Sequence, residues 1–122
     1  MQWFELRSYA HAHVICLFGD MPIYVAYDSA DVWANRELFI LAEHGGLELV
    51  AGVPPDYFSA TGQRWGNPLY RWDRIRKTDY RWWLDRMRTQ LKLFDLVRID
   101  HFRGLVAYWE VPASESWHSR FF

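Results

Sequence analysis

The chain has 122 residues, 51% of them hydrophobic, and a formal net charge of -1. That is enough apolar matter for a core, which excludes a disordered tail, and the near-neutral balance excludes a global electrostatic pull toward nucleic acid or an anionic membrane surface. A single cysteine, Cys16, excludes an internal disulfide and a cysteine-rich zinc site.

From Gln2 to about Ala12 the spacing of Trp3, Leu6 and Ala10 predicts a helix with one apolar face. The run Val14-Ile15-Cys16-Leu17-Phe18, closed by Gly19-Asp20, reads as a strand buried on both sides, with Cys16 a small buried hydrophobe. A second short strand is expected at Ile23–Ala26. Ser29 has the position of an N-cap, with Asp31 in the first turn of a helix reaching about Phe39.

Glu43 to Lys77 reads as mostly irregular, punctuated by Gly45-Gly46, Gly52, Pro54-Pro55, Gly62, Gly66 and Pro68. So long an irregular stretch is a functional signal, and its Tyr, Phe and Trp residues predict an ordered loop. The clearest helix follows, capped by Thr78 or Asp79, with Tyr80, Trp83, Leu84, Met87, Leu91 and Phe94 on one stripe. It leads into a strand, Asp95–Asp100. Helix and strand in alternation predict an α/β architecture.

Residues two apart in a strand share a face, so Arg98 and Asp100 point one way while Val97 and Ile99 point the other. In a barrel the ionic pair would project toward the axis at the strand's C-terminal end, where barrel enzymes keep catalytic groups. A neighbouring guanidinium favours the carboxylate form of an Asp. An ionised, oriented carboxylate is the nucleophile of a retaining glycosidase. Taken alone, Arg-x-Asp is more often a salt bridge at a strand end than a catalytic pair.

Longer strings add to this. Gly19-Asp20-Met21-Pro22-Ile23-Tyr24-Val25 is followed by Asp28-Ser29-Ala30-Asp31-Val32-Trp33. Then come Ala51-Gly52-Val53-Pro54-Pro55-Asp56-Tyr57-Phe58-Ser59-Ala60-Thr61-Gly62-Gln63 and Trp65-Gly66-Asn67-Pro68-Leu69-Tyr70. Last are Phe94-Asp95-Leu96-Val97-Arg98-Ile99-Asp100-His101-Phe102-Arg103-Gly104 and Tyr108-Trp109-Glu110-Val111-Pro112-Ala113. In these strings, and in their order and spacing, the chain resembles the amylomaltase family of 4-α-glucanotransferases.

The resemblance implies part of a (β/α)8 barrel of the α-amylase type, around its third and fourth strands, over residues 1–115. It implies retaining transfer of a 1,4-α-glucan segment to the 4-position of an acceptor sugar, with no metal or organic cofactor. Asp100 would be the nucleophile and Arg98 the group that orients and ionises it. Asp20 and His101 would line the reacting-sugar subsite. Asp56, Tyr57, Phe58, Gln63 and Trp65, in a substrate-covering aromatic loop, would touch the glucan and shield the covalent intermediate from water.

Two departures stand out. His11-Ala12-His13 replaces a small polar turn, and residues 116–122, Ser116 to Phe122, form a divergent tail. A retaining mechanism also needs a second carboxyl group about 5–5.5 Å from the nucleophile, and the resemblance puts that Glu on a later strand, beyond these residues. Glu110 is a poor substitute for it. The expectation is therefore a fragment that does not turn over alone.

A non-catalytic glucan-binding module using the aromatic loop is the alternative. The Arg71–Lys92 stretch has eight basic and three acidic residues among its tryptophans, and it reads as a solvated helix face in preference to a nucleic-acid site. With no signal peptide at Met1–Glu5 and no apolar run near the ~18 residues of a membrane span, the expectation is a soluble cytoplasmic protein whose partners are maltooligosaccharides or starch- and glycogen-derived glucans.

Overall fold

The computed structural model describes residues 2–57 and 59–114. The fold is α/β. Helix α1 covers Gln2–Ala12 and leads to strand β1, Phe18–Pro22. Helix α2, Ala30–Ala34, is followed by a short 3-10 turn at Arg36–Leu38. Strands β2 (Leu49–Val53) and β3 (Gln63–Pro68) come next, then helices α3 (Trp72–Lys77) and α4 (Arg81–Leu93). Strand β4 is Leu96–Asp100, a 3-10 turn spans Phe102–Leu105, and strand β5 is Trp109–Pro112.

The strands form two sheets among the described residues. β1 and β4 run parallel, with Phe18 opposite Leu96, Asp20 opposite Arg98 and Pro22 opposite Asp100. β3, β2 and β5 form an antiparallel sheet in that order. In β1 and β4 alternate residues face the two sides. Gly19 and Met21 are buried and Val97 and Ile99 half-buried, while Asp20, Arg98 and Asp100 are exposed on the other side.

The predicted α1 is present, but its inward face is Trp3, Arg7 and Ala10, and Leu6 is 53% exposed. The expected strand at Val14–Phe18 lies further along the chain. Val14 takes the left-handed conformation (φ 60°), Ile15 N–H donates to Ala10 O and Val14 N–H to His11 O. That paired hydrogen bonding is a helix-ending motif whose left-handed position is usually glycine. The apolar run is spent on a helix end and a connector, which leaves Val14 94% exposed and Cys16 exposed instead of buried. The strand expected at Ile23–Ala26 is a non-strand segment: Ile23, Tyr24 and Val25 enter the core with no sheet partner among the described residues.

Ser29 caps α2 as expected, its hydroxyl accepting from Val32 N–H. The helix stops early because Asn35 leaves helical geometry (φ -132°, ψ 42°), its side-chain amide donating back to Asp31 O. The stretch 43–77 is about half regular where a mostly irregular one was expected, since β2, β3 and α3 lie within it. Their pairing is long-range, and the punctuation by Gly and Pro marks turns between short strands. Thr78 and Asp79 end α3 where a cap for α4 was expected: the Thr78 hydroxyl donates to Ile75 O, and Asp79 sits at φ 49°. Of the expected α4 stripe, Trp83 is buried and Met87 and Phe94 half-buried, whereas Leu84 and Leu91 are about half exposed.

The core is aromatic at its centre. Tyr70 stacks on Tyr24 (ring centroids 5.9 Å apart) and meets Phe39, Trp72, Trp82 and Trp83 at 5.2–5.6 Å. Its hydroxyl donates to Ile23 O at 2.7 Å. Aromatic rings of this size bury large area and gain from edge and offset contacts. Much of the aromatic excess therefore builds the core beneath the end of β1.

Candidate active site

Parallel pairing with Asp20 opposite Arg98 sets the site's geometry. Both side chains leave the same face, and the guanidinium meets the carboxylate with two bonds, Nε to Oδ1 at 3.0 Å and Nη2 to Oδ2 at 2.7 Å. Such a fork combines charge with planar complementarity. Bonding to Arg98 holds the Asp20 carboxyl below its usual range. Arg98 is in turn pushed up, first by the bond it donates to Asp20, then by that carboxylate's charge, with the Asp100 charge contributing least.

Arg98 and Asp100 share a face, as the strand period requires. The guanidinium's hydrogen bonds nevertheless go to Asp20, and Asp100 meets it only as a nearby charge. Sequence reasoning missed this division, because register between distant strands is not written in either strand.

Asp100 ends β4 and opens onto a cleft of about 180 Å³ lined by Pro22, Ile23, Tyr24, Trp65, Asn67 and His101. His101 follows immediately in the left-handed region, φ 49°, and starts the 3-10 turn. Its ring meets Trp65 edge-on, centroids 4.7 Å apart. Gly104 lets that turn pack closely, since a Cβ there would lie 3.1 Å from both His101 Cδ2 and Ile23 Cγ1. A residue held in a sparsely populated conformation at a strand end is a feature often found at functional sites.

Trp65 sits on β3, half-buried, and its Nε1–H donates to Gln63 Oε1 at 2.9 Å. Trp65 and Gln63 thus form one unit on a strand and not part of an irregular loop. Asp56 Oδ1 accepts from Ser59 N–H at 2.8 Å. Asp56 joins His101, Arg103 and Trp109 around a neighbouring cleft of about 440 Å³, so His101 borders both spaces. Tyr57 projects outward, 99% exposed, and Phe58 and the tail 116–122 lie outside the described residues.

Two cleft residues escaped the reading of individual side chains, Tyr24 and Asn67. Asn67 Nδ2 donates to Val25 O at 3.0 Å, tying β3 to the segment after β1. Among the described residues the buried Tyr24 hydroxyl has no hydrogen-bond partner, and burial pushes its pKa up. Their signal was present only as membership in the longer strings. Glu110 lies on β5, exposed and paired opposite Ala51 in the other sheet. Among the described residues no group of three or more His, Cys, Asp or Glu side chains is placed to hold a metal ion, and no helix is long and apolar enough to cross a membrane.

A family model described as 4-alpha-glucanotransferase matches residues 1–120. The chain is 60% identical over 113 residues to the 4-alpha-glucanotransferase of Thermus thermophilus, covering 93% of this chain and 23% of that protein. It is 56% identical over 115 residues to the Synechocystis 4-alpha-glucanotransferase, with the same shares. The amylomaltase from Streptococcus agalactiae, solved in complex with acarbose, superposes with a TM-score of 0.88 at 47% identity, over 94% of this chain and 23% of that one. The chain therefore spans about a quarter of the length of the relatives it matches.

Proposed function

This chain belongs to the 4-alpha-glucanotransferase family, and from that membership we propose that residues 1–115 are the part of a (β/α)8 barrel of the α-amylase type around its third and fourth strands. In the whole enzyme an Asp100 oxygen attacks the anomeric carbon of an α-1,4-glucan. A C–O bond to the carboxylate forms as the glucosidic C–O bond breaks. The departing 4-oxygen takes a proton from a second carboxyl group, which we assign to the part of the family's sequence outside this span. An acceptor 4-hydroxyl then attacks the glucosyl ester and gives its proton back to that group. Two inversions leave the configuration unchanged, and Asp100 returns as a carboxylate.

The observation that carries this reading is the placement of Asp100: exposed, on the face of Arg98, at the C-terminal end of a parallel strand, beside His101 and Trp65. Functional groups of barrel enzymes occupy that end. Arg98 acts on Asp100 by its charge while Asp20 holds it in place. Asp20 and His101 bind the reacting sugar. Trp65 and Gln63 form one wall, and Asp56, Tyr57 and Phe58 belong to the cover that admits an acceptor sugar while restricting water. Maltooligosaccharides and longer α-glucans are the substrates, and the chain alone does not turn over.

The test is a segment exchange. Replacing the matching segment of the Thermus thermophilus relative with residues 1–114 should preserve disproportionation of maltotriose. The Asp100→Asn form of the same exchange should lose it by several orders of magnitude. Equal activity in both would overturn the assignment.

A further inference from the structure

We propose that Asp95 is a positioning residue for this site, pinning β1 and β4 in register from the end of the sheet opposite Asp100. Five residues of strand put it about 16 Å away, so it touches none of the groups that would meet a sugar. That Asp100 is catalytic rests on the function proposed above; the register claim does not.

The Asp95 carboxylate accepts four hydrogen bonds. Oδ1 takes Arg7 Nε at 3.2 Å and Arg7 Nη2 at 2.6 Å, and Oδ2 takes His11 Nε2 and the Leu17 N–H, both at 2.8 Å. In return the Asp95 N–H donates to Leu17 O at 2.9 Å. One residue thus engages both backbone groups of Leu17, immediately before the first register pair, Phe18 with Leu96. Arg7 also donates to Lys92 O, and Trp3 to Leu93 O, so α1 is fastened to the last turn of α4 at the same place.

Each strand of the parallel pair is only five residues long, and among the described residues neither has a second strand beside it. A ladder this short carries little register information in its backbone bonds. A one-residue slip of β4 would turn Arg98 and Asp100 onto the side where Met21 is buried, because the side-chain period is two. It would also break the Asp20–Arg98 fork. The side-chain bond to Leu17 N–H opposes that slip, since moving β4 by one residue removes its acceptor. Arg7 and His11 orient the carboxylate, and their side-chain hydrogen bonds go to Asp95 and to Lys92 O, not to Leu17.

The experiment follows the Arg98 Nε–H signal in 15N-labelled chain, assigned by Arg98→Lys, because it reports the fork to Asp20 directly. Asp95→Ala should move it to the position of a free arginine. Arg7→Ala and His11→Ala, which lower stability but leave the Leu17 bond, should keep it. Asp95→Asn retains an acceptor for Leu17 and should also keep it despite losing the charge.

The proposal fails if the signal survives Asp95→Ala, or if Arg7→Ala abolishes it equally. Should Asp95→Ala not fold, loss of the signal in folded Asp95→Asn would overturn it. A failure of Asp100 to accept a glucosyl group would leave this signal in place, so the two readings fail separately.

Discussion

Gly19, beside Asp20 on β1, is where the site and the packing beneath it meet. A Cβ at this position would lie 2.4, 2.6 and 2.9 Å from Cδ2, Cγ and Cε2 of the Phe94 ring, where ordinary contact begins at 3.4 Å. The ring must retreat by about 1 Å, and that displacement reaches Trp3, whose ring meets Phe94 edge-on at 5.3 Å. Overpacking of this kind costs about 1–3 kcal/mol. For a chain of this size Gly19→Ala should therefore lower the melting temperature by roughly 4–12 °C. Phe94→Leu alone loses stability through a void, but in the double variant the smaller side chain vacates the space the methyl needs. Urea unfolding of the four proteins, followed by tryptophan fluorescence, should give a favourable coupling of about 1 kcal/mol or more. Additivity within about 0.5 kcal/mol would refute the contact and the packing of α4 against β1.

Val14 is 94% exposed at a φ of 60°. Replacing this β-branched residue with glycine removes a left-handed penalty of about 1–2 kcal/mol and part of that gain is offset by unfolded-state entropy. Val14→Gly should thus raise the unfolding free energy measured in urea by a net amount of up to about 1 kcal/mol, and a loss of stability would contradict the helix-end assignment. Bonds from His11, the Leu17 amide and Arg7 hold the Asp95 carboxyl well below the usual carboxylate range. As pH falls below about 4 the unfolded chain takes up this proton first. Stability from Asp95 is full above that range and is lost toward lower pH. Melting temperature against pH should fall more steeply in the wild type than in Asp95→Asn, and parallel curves would remove Asp95 from the account.

How much was legible in the sequence depended on range. Arg98 and Asp100 on one face followed from the strand period alone, and α1 and the Ser29 cap from local chemistry. Val14–Phe18 misled because an apolar run describes burial potential without recording where a helix will end; the left-handed turn at Val14 moved the strand four residues along. β2, β3 and β5 were invisible for a different reason. Their stability comes from pairing partners up to about sixty residues apart, such as Val50 with Val111, and short strands between Gly and Pro look like loop. Asp20 and Arg98 were each singled out, yet their fork depends on the register of two strands separated by most of the chain. Several apolar side chains expected in the core, Leu84 and Leu91 among them, remain half exposed in a chain that spans a quarter of its relatives.

The most direct measurement uses α-maltosyl fluoride, whose leaving group departs without a general acid, so that the nucleophile is tested by itself. Incubated with this chain and digested for peptide mass spectrometry, it should leave a glycosyl ester on Asp100, absent from the Asp100→Asn variant and slowed when Arg98 is replaced by Lys. Modification at another carboxylate with Asp100 unlabelled would contradict the account.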